Sequence, residues 1–279
     1  PSSVRITCTE PIVVRLETGA VSPTAVTSLT FQELLFEGCG IAIEAECNGG
    51  ASFIDCDFVC VKKDFAIRGS LSGDSGTSHV RISRCGFREC GVDRDTVFPT
   101  LPPEDPVATI AWKYGLGAVW MPTAVTHWRL DHCVFVACRS VPLRLHGSVC
   151  YVVDSDFESC AGDADYLDSY LEIRSRRTAI LSRLRFGNEP LVPQNLMTLA
   201  PSTQWPAGGV ESGLTDIVVH GIHAQGRHGP ITGVVRGSMV VLNVRTAVRG
   251  LRVSDFTVGP SINGAIRLAA SDLIPLTGA

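Results

Sequence analysis

A four-residue pattern recurs eight times along the 279-residue chain and constrains its fold more than any other feature. In the clearest copy, Leu130 lies five positions before Phe135, and Cys133 and Cys138 lie two before and three after it. The other copies are centred on Phe36, Phe58, Phe87, Phe157, Phe186, Ile222 and Phe256. Self-similarity of this kind indicates a repeat protein.

The spacing of the copies indicates the architecture. Successive central residues lie 22, 29, 48, 22, 29, 36 and 34 residues apart, so a unit without insertions has 22 residues. That unit is too short for a helical repeat of ~33 residues or more. Its apolar residues recur at spacing two, typical of strands, with steps of three that are typical of corners. We therefore predict an all-β fold, a single-stranded right-handed parallel β-helix (solenoid) of roughly 8–11 coils with long loop excursions.

The cysteines follow the phase of this repeat. If coils stack in register, two internal columns form, one at the position two before the phenylalanine and one at the position three after it. The first contains Leu34, Cys56, Cys85, Cys133, Ser155, Leu184, His220 and Ser254, and the second contains Cys39, Cys90, Cys138 and Cys160. Small side chains suit narrow corners. A metal site or disulfides are the alternative, which the irregular spacings and the odd total of 11 cysteines disfavour.

The repeat runs nearly end to end, so one domain is predicted over residues 1–279. We expect residues 1–30 to form an N-terminal cap or opening strands, residues 31–270 the coils, and residues 271–279 a tail. Two proline-rich segments, 92–117 and 187–213, read as long excursions, where function tends to lie.

Charge and hydropathy exclude two classes of partner. The net charge of −4 disfavours nucleic acid, whose binders carry a basic excess. No run of about 18 apolar residues indicates a membrane span. We therefore expect neither nucleic acid nor membrane as a partner.

A second short strand follows most copies of the repeat, as in the PLRLH of residues 142–146. With Leu143 and Leu145 inward, the outward positions form a row. This row contains Glu44, Arg68, Trp120, Arg144, Arg174, Arg236 and Arg267, with His146 one pleat further on. Arginine clamps carboxylates and an indole face suits a sugar ring, so the row predicts binding of a carboxylated or sulfated glycan.

The substrate-binding candidates in this region are Arg68, Trp120, Arg174, Arg236 and, in the first excursion, Lys113. In this register Arg144 faces solvent, so Arg144→Ala is expected to weaken binding without loss of stability. The alternative interpretation is that these are ordinary solvated positions in a chain with only three lysines among 24 basic residues.

Acidic residues are concentrated in residues 154–168. Glycoside hydrolysis generally uses two carboxylates, and we take Asp163 and Asp165 as the candidate acid pair, with Arg144 and His146 as further catalytic candidates. The same acids equally suit Ca²⁺, which prefers several oxygen ligands. No other metal or cofactor is predicted. Asp156 has a third interpretation, as a corner residue one position before Phe157.

Residues 24–270 resemble the pectin-lyase-like superfamily, which includes pectate and alginate lyases, polygalacturonases and the tailspikes of bacterial viruses. The segment WRLDHCVF (128–135) is similar to the Trp-Ile-Asp-His segment of pectate lyases. The lyase motif Arg-x-Pro-x-x-Arg and the Gly-His-Gly of polygalacturonases are absent, so no catalytic residue is carried over.

The resemblance implies a tailspike-like protein that binds an acidic polysaccharide in a groove on the outer strand face, at an extracellular surface or on a virion. It also implies partners: two further copies in a homotrimer, or other subunits of a larger particle. Whether the chain cleaves its glycan, as a lyase or a glycoside hydrolase, stays open. The alternative is a non-catalytic structural β-helix in a virus particle or other large assembly.

Overall fold

The computed structural model describes residues 4–7, 12–16, 28–43, 50–69, 79–92, 116–120, 125–160, 169–187, 195–200, 214–225, 240–245, 248–259 and 264–268. These residues form twenty β-strands and no helix. The strands are β1 (Val4–Thr7), β2 (Ile12–Leu16), β3 (Leu29–Gln32), β4 (Leu34–Glu37), β5 (Gly40–Ile43), β6 (Ala51–Ile54), β7 (Asp57–Val59), β8 (Ile67–Gly69), β9 (His79–Ser83), β10 (Gly86–Arg88), β11 (Val119–Trp120), β12 (Val125–Asp131), β13 (Val134–Val136), β14 (Leu143–Glu158), β15 (Ser169–Gly187), β16 (Asn195–Leu199), β17 (Leu214–Ala224), β18 (Val240–Val244), β19 (Val248–Val258) and β20 (Gly264–Leu268).

Every pairing between these strands is parallel, and the pairings form three ladders. The first ladder runs β3, β6, β9, β12, β14, β15, β17, β19. The second runs β1, β4, β7, β10, β13, β14, β15, β17, β19. The third runs β2, β5, β8, β11, β14, β15, β16, β18, β20. The long strands β14 and β15 contribute to all three. The predicted all-β class and parallel pairing are confirmed.

A stack of phenylalanine rings forms the core of the second ladder. Its members lie in register and are fully buried: Phe36, Phe58, Phe87, Phe135, Phe157 and Phe186. Neighbouring ring centroids are 4.7 to 5.3 Å apart, with ring planes within 13° of parallel. Aromatic contacts add about 0.5–1.5 kcal/mol per pair beyond area burial. The repeat register predicted for these six copies is confirmed.

The two cysteine columns are also confirmed. Cys56, Cys85 and Cys133 are buried beside the stack, and so are the four cysteines of the second column. Their thiols donate to backbone carbonyls of the preceding repeat, as from Cys138 to Phe87 at 3.4 Å. Interior packing therefore explains the buried cysteines of the two columns, whereas Cys60 is exposed. Cys8 and Cys47 lie outside the described ranges.

Residues with positive φ turn the chain between the first and second ladders. Asp55, Arg84, His132, Asp154 and Arg183 have φ between 51° and 55°, which is the left-handed region that non-glycine residues seldom occupy. The turn therefore lies three positions before the phenylalanine. The interpretation of Asp156 as the corner residue is wrong, because the residue with positive φ in this repeat is Asp154, whereas Asp156 pairs with Val134 in the second ladder.

The seventh repeat is aligned differently from the prediction. Leu181 pairs with Val219, so Ala224 and not Ile222 lies opposite Phe186. His220 and Ser254 consequently leave the predicted internal column, and the side chain of His220 is 45% exposed. Ile217 and Ile222 face the core in both alignments, and only the corner between them moves, so these apolar positions alone could not detect the shift.

The predicted excursion at 187–213 contains a strand of the third ladder. In β16, Met197 and Leu199 pair with Leu171 and Ile173 of β15 and join the core. On its other side, β16 pairs with β18 through Met197 and Leu199. Strand β18 therefore takes the ladder position that was predicted for residues 233–236. Residues 233–236 lie outside the described ranges.

Candidate functional site

The outer face of the third ladder carries a row of polar and aromatic side chains, which we call the third-ladder row. Its members pair in register from strand to strand: Arg68, Trp120, Arg144, Glu172, Thr198 and Asn243. Residues at the alternate positions of these strands belong to the hydrophobic core, as Leu171 and Ile173 do on either side of Glu172. Neighbouring members are therefore about 4.8 Å apart along the ladder.

Four predicted members keep their places: Arg68, Trp120, Arg144 and Arg267. Glu172 takes the place predicted for Arg174, and Ala42 takes the place predicted for Glu44. Arg174 lies one pleat further on, opposite His146. Asn243 pairs with Arg267 and takes the place predicted for Arg236.

The predicted solvent exposure of this row is wrong. Arg68 and Trp120 are buried, and the side chain of Arg144 is only 11% exposed. Expecting Arg144→Ala to leave stability intact is therefore wrong as well, because Arg144 is held in a nearly buried ion pair. Burial of these charges is tolerated because each has a partner of opposite sign.

Arg68 is held by Asp64 at one end of the row. Its Nε donates to Asp64 Oδ2 at 3.0 Å, and both side chains are buried. The other carboxylate oxygen of Asp64 accepts from the backbone N–H of Phe65 at 2.7 Å. The Phe65 ring lies 5.0 Å from the Trp120 ring, so this end of the row is packed and electrically neutral.

Glu172 lies between two arginines at the centre of the row. Arg144 Nε donates to Glu172 Oε2 at 3.0 Å, and Arg174 Nε donates to Oε1. Burial raises the pKa of Glu172, but the two guanidinium charges and their hydrogen bonds outweigh it and hold the pKa at about 2. Glu172 is therefore ionised at neutral pH. It orients two arginines and is unsuited to act as a proton donor.

Thr198 and Asn243 follow Glu172 along the row and differ from every member before them. They are 2% and 6% exposed. Thr198 Oγ1 and Asn243 Oδ1 are the buried side-chain nitrogen or oxygen atoms that find no hydrogen-bond partner within the part of the chain that the structure describes. Leaving such an atom unsatisfied costs about 1–3 kcal/mol, so each calls for an explanation.

His146 is buried one pleat along from Arg144. Its backbone carbonyl accepts a hydrogen bond from Trp128 Nε1 at 3.0 Å, which ties the third ladder to the first. His146 lies opposite Arg174 of β15. Nothing in the described contacts assigns it a catalytic role.

The remaining predicted site residues lie outside the described ranges: Asp163, Asp165, Lys113 and Arg236. Two described acids of the same cluster form exposed ion pairs. Asp154 accepts from Arg183 Nη2 at 2.7 Å, and Asp156 accepts from Arg185 Nη2 at 2.8 Å. Among the described residues no group of three or more His, Cys, Asp or Glu side chains is arranged to hold a metal ion.

The segment that resembles pectate lyases, residues 128–135, serves the core and the corner. Trp128 is buried, and Asp131 accepts from Ser83 Oγ at 2.7 Å and from Arg129 Nε at 2.9 Å. Burial raises the pKa of Asp131, but these hydrogen bonds outweigh it and leave the pKa below its ordinary value. His132 is exposed at the corner.

Four residues of this region were not predicted from the sequence: Asp64, Glu172, Thr198 and Asn243. For Glu172 the signal was present, because an inward Ile173 places both Glu172 and Arg174 outward. Thr198 and Asn243 lie in strands that were not recognised, since prolines at 190, 193 and 201 flank the apolar run of β16.

Comparison with known proteins adds no identification: no family model, curated protein or solved structure matches the chain. The described residues also contain no helix that is long and apolar enough to cross a membrane.

Proposed function

We propose that the chain is a right-handed parallel β-helix of the pectin-lyase-like type that binds an acidic polysaccharide along the third-ladder row. Three parallel ladders, each with strands drawn from successive repeats, support the β-helix. Glycan binding is supported by the row of side chains on consecutive strands, which includes arginines, an indole, a hydroxyl and an amide. These groups recognise carboxylates, sugar faces and hydroxyls.

One observation carries the proposal: polar groups are concentrated on a ladder face where burial makes them costly. An apolar outer face would cost less, and buried ion pairs can often be replaced by apolar residues without loss of stability. Retaining two arginines, a carboxylate and two unsatisfied polar atoms therefore favours a binding role over packing alone.

Arg174 is the member of this region through which an anionic ligand is best reached. Its side chain is 32% exposed, compared with 8% for Glu172. Glu172 fixes its Nε, so the guanidinium is already oriented when a uronate carboxylate arrives. Preorganisation of this kind lowers the entropy lost on binding.

The test is binding of polygalacturonate, alginate and heparin oligosaccharides at low and at physiological salt. We expect the wild type to bind at least one of them, more weakly as salt screens the charges, and Arg174→Ala to reduce affinity on the order of 10-fold. Arg183→Ala, which removes an exposed arginine from the corner face, is the matched control and should leave affinity unchanged.

The same samples should be assayed for new reducing ends and for unsaturated products, which separates a binder from a hydrolase and from a lyase. Absence of binding to all three glycans at low salt would contradict the proposal. It would favour the structural β-helix, for which the neutralised pairs Asp64–Arg68 and Arg144–Glu172 are the supporting observation.

A further inference from the structure

The outer face of the first ladder presents two neighbouring arginines and a tyrosine to solvent, which we call the first-ladder row. Arg81 and Arg129 are direct ladder partners on β9 and β12, and Tyr151 of β14 follows them in register. The arginine side chains are 46% and 63% exposed, and Tyr151 is 37% exposed. Neighbouring members lie about 4.8 Å apart along the ladder, so one ligand can contact all three.

The acid that faces both arginines is nearly hidden from solvent. The side chain of Asp131 is 7% exposed, and its Oδ1 lies 2.9 Å from Arg129 Nε and 4.0 Å from Arg81 Nε. Its Oδ2 accepts from Ser83 Oγ at 2.7 Å, which fixes the carboxylate. Asp131 is the one acid among the outward side chains of β9 and β12 that the structure describes. An approaching ligand therefore meets positive charge, and a largely buried carboxylate orients the two guanidinium groups.

The exposed ion pairs of the second ladder differ in this respect. Arg88 and Arg185 are 62% and 60% exposed there, but their partners Asp57 and Asp156 are 47% and 36% exposed. An approaching anion meets both signs of charge at these pairs, so attraction and repulsion oppose each other. The first-ladder row is consequently the better surface for an anion, and the second-ladder pairs supply a control.

The donors and the charge of the first-ladder row restrict its ligand. One guanidinium satisfies a carboxylate by two parallel hydrogen bonds, so two guanidiniums offer more donors than a carboxylate needs. A sulfate ester has three terminal oxygens and can accept from both. Two arginines and Asp131 sum to a charge of +1, which matches the single negative charge of a sulfate ester, whereas a phosphate monoester carries about −1.5 to −2 at pH 7.

We propose that Arg81 and Arg129 bind a sulfate ester of a sulfated glycan, whose sugar ring packs against Tyr151. Aromatic rings such as that of Tyr151 combine a large apolar face with a polar tip, which suits a sugar. The inference goes beyond the proposed function, because it concerns another ladder and another chemical group. The third-ladder row receives a uronate carboxylate through Arg174, and the first-ladder row receives a sulfate.

The experiment compares wild type, the double variant Arg81→Ala/Arg129→Ala and Tyr151→Ala. The control double variant Arg88→Ala/Arg185→Ala removes the same charge from the second ladder. The probes are heparin oligosaccharides, the same oligosaccharides after desulfation and N-acetylation, which keep their carboxylates, polygalacturonate oligosaccharides, and phosphorylated mannose oligosaccharides. The Kd is measured at low salt, and thermal unfolding establishes that each variant is folded.

We expect the double variant Arg81→Ala/Arg129→Ala to weaken heparin binding at least on the order of 10-fold, because exposed charge-assisted hydrogen bonds are lost. Desulfated heparin should bind the wild type more weakly by a similar factor, and its Kd should change little in the double variant, since the arginines and the sulfates act on each other. Tyr151→Ala should weaken heparin binding severalfold. This variant leaves Asp131 and both arginines in place, so it tests the site even if the double variant is unstable.

Other outcomes overturn the inference. Equal weakening by the control double variant would mean that heparin responds to total charge and not to this row. An equal loss of affinity for desulfated heparin in the double variant, or tighter binding of the phosphorylated probe than of heparin, would contradict the sulfate assignment. Wild type that binds polygalacturonate through Arg174 but not heparin would leave the proposed function standing and refute the sulfate site.

Discussion

The exposed corner between the first and second ladders and the outer face of the third ladder carry the same kind of ion pair in opposite surroundings. At the corner, Arg183 and Asp154 have side chains 59% and 25% exposed. On the third ladder, Arg144 and Glu172 are 11% and 8% exposed. Water screens the first pair and hardly reaches the second. Two ion pairs of similar geometry therefore differ in their electrostatic interaction energy.

The comparison teaches that an outward position on a strand does not by itself mean a solvated one. The corner pairs lower the pKa of Asp154, through the hydrogen bond from Arg183, but they add little stability because water competes for both partners. The Arg144–Glu172 pair costs free energy to desolvate, and removing one of its partners would leave the other charge nearly buried without a partner. The arginines around Glu172 are therefore held in fixed positions, which suits recognition.

The largest expected difference comes from removing one acid on each face. Glu172→Ala removes the partner that Arg174 shares with the nearly buried Arg144, so the free energy of unfolding should fall by about 3–5 kcal/mol. Asp154→Ala should cost no more than about 1 kcal/mol, because its partner remains in water. Urea denaturation of both variants checks this, and equal losses would break the comparison.

The second largest expected effect is the loss of stability at low pH, which should come from Glu172 on the third ladder. The pKa of Glu172 is about 2 in the folded protein against an ordinary value of 4.5, so its stabilisation is complete above pH 4.5 and is lost as the pH falls towards 2. The shift corresponds to a loss on the order of 3 kcal/mol. Unfolding free energies measured across this range should fall less steeply for Glu172→Gln than for the wild type. Parallel curves would contradict the assignment.

Salt should give the smallest effect. The small stability difference between wild type and Arg183→Ala at low salt should nearly vanish near 1 M salt, where the screening length is about 3 Å. The difference for Glu172→Ala should persist, because ions do not reach that pair. Chemical denaturation with urea, which is uncharged, at several salt concentrations provides the measurement.

Much of the interior could be predicted from sequence, since large aromatic and small sulfur side chains at fixed spacing leave few ways to pack. The positions of Phe87, Phe135 and Phe157 and of the cysteines around them follow directly. The burial of Arg68 and Trp120 could not be predicted, because it depends on which distant segments cover that face. The alignment of His220 failed for another reason, since Ile217 and Ile222 face the core in both alignments and only the corner between them moves.

The phenylalanine stack also bears on how such a chain can change length. Each ring meets the ring one repeat before and one repeat after, so the interface presented by Phe87 is nearly the interface presented by Phe135. Removing the 22 residues 133–154 would bring Phe157 onto Phe87, with Ser155 replacing Cys133 and Cys160 replacing Cys138. Length is thus a modular quantity that duplication or deletion of whole units can alter while the core is preserved.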